Sequence, residues 1–230
     1  ANHVIRTARV LFSYAKFKGF IPENPFKGWR LIGVEVEDVW WTRGEVEAFI
    51  KAADSLGYPS IGTAAMLAFE LCQRQADIRH LAWVQYDGES IQIRQEKTGV
   101  RIKISLVPNI PNLKARLDLS PRRGALIVMQ DRPDKRKKVF LPYGKNTFAH
   151  HVRLVREAAG LSPKLKFMHL RHSGATELGD AGATEPEIMS ITGHKTHEAV
   201  ARYIKPTRRQ ARHGIAKRQA LRTKMGQKSE

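Results

Sequence analysis

The chain has 230 residues, 40 Lys and Arg against 22 Asp and Glu, and a net charge of +18. A hydrophobic share of 42% is enough for a folded core and excludes disorder over most of the length. No apolar run is long enough to cross a bilayer, and the single cysteine, Cys72, can form neither an internal disulfide nor a thiolate zinc site. So basic a chain carries the electrostatic footprint of a nucleic-acid binder, because Lys and Arg that neutralise phosphates release counterions. The charge is uneven: residues 201–230 hold ten Lys and Arg against Glu230 alone.

In chain order, Val4, Ala8, Leu11 and Ala15 fall on one face and predict an amphipathic helix over residues 3–17. The stretch Ile21-Pro22-Glu23-Asn24-Pro25 then stops it. Thr42-Arg43-Gly44-Glu45 has the capping-box pattern and opens a helix that turns Val46, Phe49, Ile50 and Ala53 inward. A buried helix is expected from Ile61 to Leu71, and a short one from Asp77 to Trp83. The period then changes from helical to alternating. Ile91 and Ile93 on one side of Lys97-Thr98-Gly99, and Ile102, Ile104 and Leu106 on the other, predict an antiparallel hairpin with Lys97 at its tip. Residues 120–145 read as an exposed basic loop. Helices are expected over 147–159, around His172 to Gly182, from the second capping box at Thr184-Glu185-Pro186-Glu187 up to Gly193, and from Thr196 through Tyr203. The fold class is α+β, mainly helical with a small antiparallel sheet.

The chemistry-bearing residues stand where loops meet helices. Planar guanidinium groups suit the equatorial oxygens of a phosphodiester, since each donates two parallel hydrogen bonds. Cleavage also needs an acid for the departing 5′ oxygen and an exposed nucleophile. Arg74 closes the buried helix. His169-Leu170-Arg171-His172 precedes Ile191-Thr192-Gly193-His194-Lys195-Thr196, and Tyr203 lies nine residues beyond His194. Together, from Thr42 to Pro206, these segments resemble the tyrosine recombinase, or phage integrase, family.

The resemblance implies a site-specific DNA recombinase that cuts and rejoins strands through a 3′-phosphotyrosine intermediate, without metal, ATP or other cofactor. It implies that Arg74 and Arg171 bind the scissile phosphate, that Lys97 protonates the 5′ oxygen, that His194 bonds the phosphate or helps move a proton, and that Tyr203 attacks. Lys195 and Arg202 would add DNA contacts. The family pattern His-x-x-Arg is broken, since Met168 occupies the histidine position; His169 is adjacent, but one residue along a helix turns a side chain by about 100°. The glycine usual two residues before the first arginine is Cys72. Domain expectations follow: 1–30 as the last helix of a DNA-clamping domain, 31–41 as linker, 42–206 as catalytic domain and 207–230 as basic tail. Implied partners are double-stranded DNA at specific sites, three further protomers completing a tetramer on DNA, and accessory DNA-bending proteins, in a cytoplasmic, DNA-associated setting with no membrane.

Two other readings stay open at this point. A non-catalytic DNA binder built on a decayed recombinase fits Met168 and the charge. A type IB topoisomerase would share the arginine, lysine and tyrosine chemistry. His150, His151 and His197 lack a carboxylate cluster that would complete a metal site, and Trp40-Trp41 reads as an apolar anchor for the connector or as a surface that stacks on DNA.

Overall fold

The computed structural model describes residues 2–33, 39–201, 203 and 208–226. The chain divides into two units, Ala1–Asp38 and Val39–Glu230. In the first, α1 (Asn2–Phe17) is followed by a turn-rich return that hydrogen bonds back to it. The Asn24 amide donates to Arg9 O (3.0 Å) and Ser13 Oγ (2.8 Å), and Asn2 and Ile32 exchange side-chain-to-backbone bonds of 2.7 and 2.8 Å. Phe26 packs between Phe12 and Trp29 with ring centroids 5.0 and 5.5 Å away. No α1 side chain is buried, so this helix contributes no core of its own.

In the second unit, Trp41 anchors the chain before the first helix. Its ring meets Phe49 edge-on, its indole N–H donates to Lys166 O, and its backbone N–H donates to Ser173 Oγ. Trp40, by contrast, is exposed. The capping box forms as its sequence dictates: Glu45 N donates to Thr42 Oγ1, and Thr42 N donates to Glu45 Oε2, which starts α2 (Arg43–Ser55). Next come α3 (Pro59–Glu70), α4 (Gln75–Arg79) and a 3-10 turn over Trp83–Gln85. Strands β1 (Ser90–Arg94) and β2 (Arg101–Ser105) pair antiparallel with Ile91 opposite Ile104 and Ile93 opposite Ile102. After them run α5 (Pro111–Leu119), α6 (Lys145–Ala158), α7 (Met168–Asp180), α8 (Glu185–Thr192), α9 (His197–Val200) and α10 (Arg208–Gly226).

The central element is α3, apolar or small almost all round, with α2, α5, α6 and α7 packed about it. Its crossing with α7 is close because Gly174 has no side chain; a Cβ there would collide with Phe69 O. Fully buried Phe49, Leu67, Ile78, Leu113, Phe148 and Leu170 fill the main core, each burial stabilising by about 1.5–3 kcal/mol. A second, smaller core gathers Cys72, Ala175, Ile188, Val200 and Tyr203 at the C-terminal end of α3.

Four details depart from the sequence expectation. Residues 111–119 form α5, where the sequence pattern predicts no helix. Helix α7 begins at Met168 rather than near His172, which puts Arg171 in its first turn. The helix expected from Thr196 to Tyr203 is a single turn, α9, and residues 208–226 of the basic tail are helical. The 120–145 loop is exposed mainly at its tip, residues 132–139; Val128 and Tyr143 are buried, and Met129 bridges to Pro142.

Candidate active site

The second core carries the polar cluster on its rim. At the end of α3 the chain turns sharply through Cys72, whose φ of 52° is left-handed, and reaches Arg74 in extended conformation as the N-cap of α4. Arg74 Nη1 donates to Gln95 Oε1 at 2.7 Å, and a carboxylate oxygen, Asp77 Oδ2, stands 3.8 Å away. Asp77 Oδ1 accepts from Glu96 N at 2.8 Å, so this carboxylate ties the hairpin to the arginine.

Arg171 enters from the first turn of α7 and is only 7% exposed. Its Nη2 donates to Thr192 O at 2.8 Å and meets His194 Nε2 at 3.1 Å. Its Nη1 is buried with no hydrogen-bond partner among the described residues, and no carboxylate among them forms an ion pair with it. Burial first, and the Arg74 guanidinium second, pull Arg171 below its ordinary pKa, while Tyr203, Cys72 and Asp77 act the other way.

His194 follows Gly193, the left-handed C-cap of α8. Its Nδ1 lies 2.7 Å from Thr192 Oγ1, and that hydroxyl donates its one proton to Ile188 O at 2.7 Å. Thr192 Oγ1 can therefore only accept from His194, which puts the proton on Nδ1 and leaves the Nε2 lone pair facing Arg171. Tyr203, 8% exposed, packs with its ring centroid 5.4 Å from His194 and 5.1 Å from His172. Its backbone N–H donates to Val200 O, so the single turn of α9 sets its position.

Of the residues singled out by sequence, the structure thus brings Arg74, Arg171, His194 and Tyr203 to one rim. Lys97 sits exposed in the β1–β2 turn and Lys195 is exposed beside His194. Arg202 lies outside the described residues. Met168 is 67% exposed at the start of α7. His169 Nδ1 faces Lys166 N at 3.4 Å, and burial and then Lys166 lower its pKa; its hydrogen bonds among the described residues do not reach Arg171, His194 or Tyr203.

Sequence reasoning passes over three members. His172 belongs to the motif but carries no role in it. Gln73 and Gln95 are almost wholly buried and bond to each other (Nε2 of Gln95 to Oε1 of Gln73, 2.9 Å). The signal for Gln95 is its parity: it continues the buried alternation of Ile91 and Ile93 as a polar residue on the apolar face.

The arrangement brings two guanidinium groups, an imidazole and a phenol to one rim, with a buried guanidinium nitrogen that has no hydrogen-bond partner among the described residues: a set of groups whose charge and donors suit an oxyanion. The family model described as the phage integrase family matches residues 40–210. Among solved structures, a dimer of lambda integrase residues 75–356 on a COC′ core site is similar over 90% of this chain and 74% of its own, with TM-score 0.74 and 22% identity. The Tn1549 transposon integrase (residues 82–397) with circular intermediate DNA matches 93% of this chain and 77% of its own, with TM-score 0.69 and 16% identity. XerA recombinase matches 80% of this chain and 66% of its own, with TM-score 0.60 and 17% identity. No curated protein sequence matches. The chain belongs to the phage integrase family, the tyrosine site-specific recombinases.

Proposed function

We propose that this chain cuts and rejoins duplex DNA at specific sites, with Tyr203 as nucleophile and with Arg74 and Arg171 gripping the scissile phosphate. The observation that carries the reading is Arg171: a buried cation with an unsatisfied Nη1, bonded to a carbonyl and an imidazole and to no carboxylate among the described residues, beside Tyr203. A phosphate oxygen is the acceptor this buried nitrogen lacks, and reaching it calls for the groups that cover it to move as DNA binds. As Tyr203 Oη attacks phosphorus, negative charge grows on the equatorial oxygens and the two guanidiniums stabilise it. His194, whose Nε2 lone pair faces Arg171, helps move a proton by taking it up on Nε2, and bonds a phosphate oxygen from that nitrogen once it carries the proton. Lys97, on the turn between β1 and β2, protonates the departing 5′ oxygen, and Lys195 and Arg202 add backbone contacts.

The phosphoryl link to Tyr203 retains the energy of the broken diester, so rejoining calls for no ATP, and the guanidiniums supply the charge a metal would otherwise bring. The first unit is read as the end of a DNA-clamping domain. The solved relatives include a lambda integrase tetramer on a Holliday junction; a tetramer on two duplexes, with DNA-bending accessory proteins and a cytoplasmic setting, is proposed for this chain too.

The test uses nicked duplexes with a randomised core, from which SDS-resistant protein–DNA adducts are recovered and sequenced. Wild-type chain is expected to yield adducts with a shared sequence, and Tyr203→Phe none. Met168 favours a second reading, a DNA binder that does not cleave: it would give specific binding from the same pool with no adduct.

A further inference from the structure

The two arginines of the site repel one another, yet no carboxylate among the described residues bridges them. What joins them is neutral. Gln95 Oε1 accepts from Arg74 Nη1 (2.7 Å) and from Thr98 Oγ1 (2.9 Å), while Gln95 Nε2 donates to Gln73 Oε1 (2.9 Å) and to Thr192 O (2.7 Å). Thr192 O also accepts from Arg171 Nη2 at 2.8 Å. The path Arg74, Gln95, Thr192, Arg171 is therefore an unbroken run of three hydrogen bonds in which one amide and one carbonyl bridge two cations.

The amide has no alternative orientation. Thr192 O can only accept and the Arg74 guanidinium can only donate, so the Gln95 oxygen must face Arg74 and the nitrogen must face Thr192. Both lone pairs and both N–H groups of Gln95 are used. Gln73 is fixed in the same way, since its Nε2 donates to two carbonyls, Leu71 O (2.6 Å) and Ile191 O (2.7 Å), leaving Oε1 for Gln95. Both glutamines are essentially unexposed, Gln95 at 0% and Gln73 at 1%. Gly193 makes room for this: a Cβ there would stand 2.6 Å from Gln95 Nε2, in a backbone already left-handed at φ 70°.

A carboxylate at position 95 would hold Arg74 more strongly but would cancel part of the charge meant for the phosphate, and it would turn an oxygen toward Thr192 O and Gln73 Oε1. An amide fixes the guanidinium without neutralising it. We infer that Gln95, backed by Gln73, is a positioning residue for the recombination reaction: it holds the Arg74 guanidinium at a set distance from Arg171 while adding no negative charge to that which Asp77, 3.8 Å from Arg74, already brings.

This rests on the proposed cleavage function, and the experiment separates the two. The duplex selected by wild-type chain is made with an ordinary 5′ oxygen and with sulfur in the bridging 5′ position, a leaving group that needs no proton. Cleavage rate and DNA affinity are measured for wild type, Gln95→Met and Gln95→Glu, with thermal melts alongside. Removal of a direct transition-state donor slows an enzyme by about 10²–10³-fold, so losing the group that aims one is expected to slow Gln95→Met by about 10–100-fold, with affinity within about threefold of wild type. The deficit relative to wild type should persist on the sulfur substrate, because the missing element is charge at the equatorial oxygens. Gln95→Glu keeps the acceptor for Arg74 but loses both donors and adds a charge; the melts report the fold of each variant, and folded Gln95→Glu should also cleave slowly.

Wild-type-like cleavage by a folded variant would overturn the inference. So would a parallel loss of affinity and rate, which marks a structural role, or recovery on the sulfur substrate, which marks an effect through Lys97. Absence of adducts from wild type itself would overturn the cleavage reading and this inference with it.

Discussion

The two ends of α3 treat arginine in opposite ways. At the N-terminal end, Arg116 is bidentate to Asp54 (2.6 and 3.0 Å) and also donates to Pro59 O and Thr63 Oγ1. Nearby, Arg123 pairs with Asp131, whose side chain is 1% exposed and which also accepts from Ser60 N and Ser60 Oγ. At the C-terminal end, Arg171 bonds a carbonyl and an imidazole, and Arg74 bonds an amide with the Asp77 carboxylate 3.8 Å off. A paired arginine has its charge spent on holding the fold. Arg171, fixed by neutral acceptors, is held as firmly in direction but keeps its charge for a ligand, and Arg74, with Asp77 at 3.8 Å, stands between the two cases. Exposure does not distinguish the two sets, since Arg171 is the most buried of them; the identity of the acceptor does.

That contrast makes its largest prediction at the two buried members. Arg171→Ala should slow cleavage by about 10²–10³-fold, as for loss of one transition-state donor, with a much smaller fall in DNA affinity. Asp131→Ala should do the reverse. It strands Arg123 and the Ser60 N–H, and breaking a buried pair costs about 3–5 kcal/mol, here toward the lower bound because Arg123 is 21% exposed. A drop in Tm of roughly 6–12 °C is expected for a chain of this size, with cleavage per folded molecule unchanged below the melt. Equal loss of affinity and rate in Arg171→Ala, or a specific cleavage defect in Asp131→Ala, would dissolve the distinction.

The same contrast bears on what is legible in the sequence. Thr42 with Glu45, and the Ile91 and Ile93 alternation, act over a few residues, so the helix start and the hairpin are readable. Arg74, Arg171, His194 and Tyr203 emerge through motif spacing joined to family resemblance, because phosphate chemistry limits which side chains can serve. Helix α5 is not readable: only Leu113 and Leu117 turn inward, too few apolar positions to mark a period. The start of α7 is obscured because Met168 is exposed and Phe167, in the N-cap position, provides no side-chain cap. The glutamine bridge is hidden for a different reason. Its bonds join residues 97 and 118 apart in sequence, and an uncharged amide carries no charge pattern to betray such a partner.

A middle-sized effect tests whether the site depends on how closely α7 approaches α3. Gly174 sits at that crossing, where a Cβ would meet Phe69 O and stand 3.0 Å from Cys72 Sγ. Gly174→Ala must push the helices apart, and overpacking of this kind costs about 1–3 kcal/mol. Because Arg171 lies three residues away on α7 and Arg74 two residues beyond Cys72, the shift separates the two guanidiniums. Cleavage should therefore fall by more than the loss of folded protein accounts for. At the paired end of α3, Gly62 is the control: a Cβ there would stand 2.7 Å from Arg116 Nη2, a side chain, so Gly62→Ala should lower Tm and spare the rate.

The smallest expected effect lies at Cys72, where two terms of opposite sign nearly cancel. Its left-handed backbone, φ 52°, costs a side-chain-bearing residue about 1–2 kcal/mol, which Cys72→Gly would relieve. Against that, glycine removes a side chain buried against Ala175 and Tyr203 and frees the unfolded chain. The Tm of Cys72→Gly should stay within about 3 °C of wild type, since 1 kcal/mol moves a domain of this size by roughly 2–4 °C. The thiol pKa is pushed up to about 12, chiefly by burial, so the thiol is protonated at neutral pH and native chain should resist iodoacetamide while unfolded chain reacts. Rapid alkylation of the native chain, or a large change in Tm of either sign, would mean that the turn feeding Arg74 is not held as tightly as the neutral bridge requires.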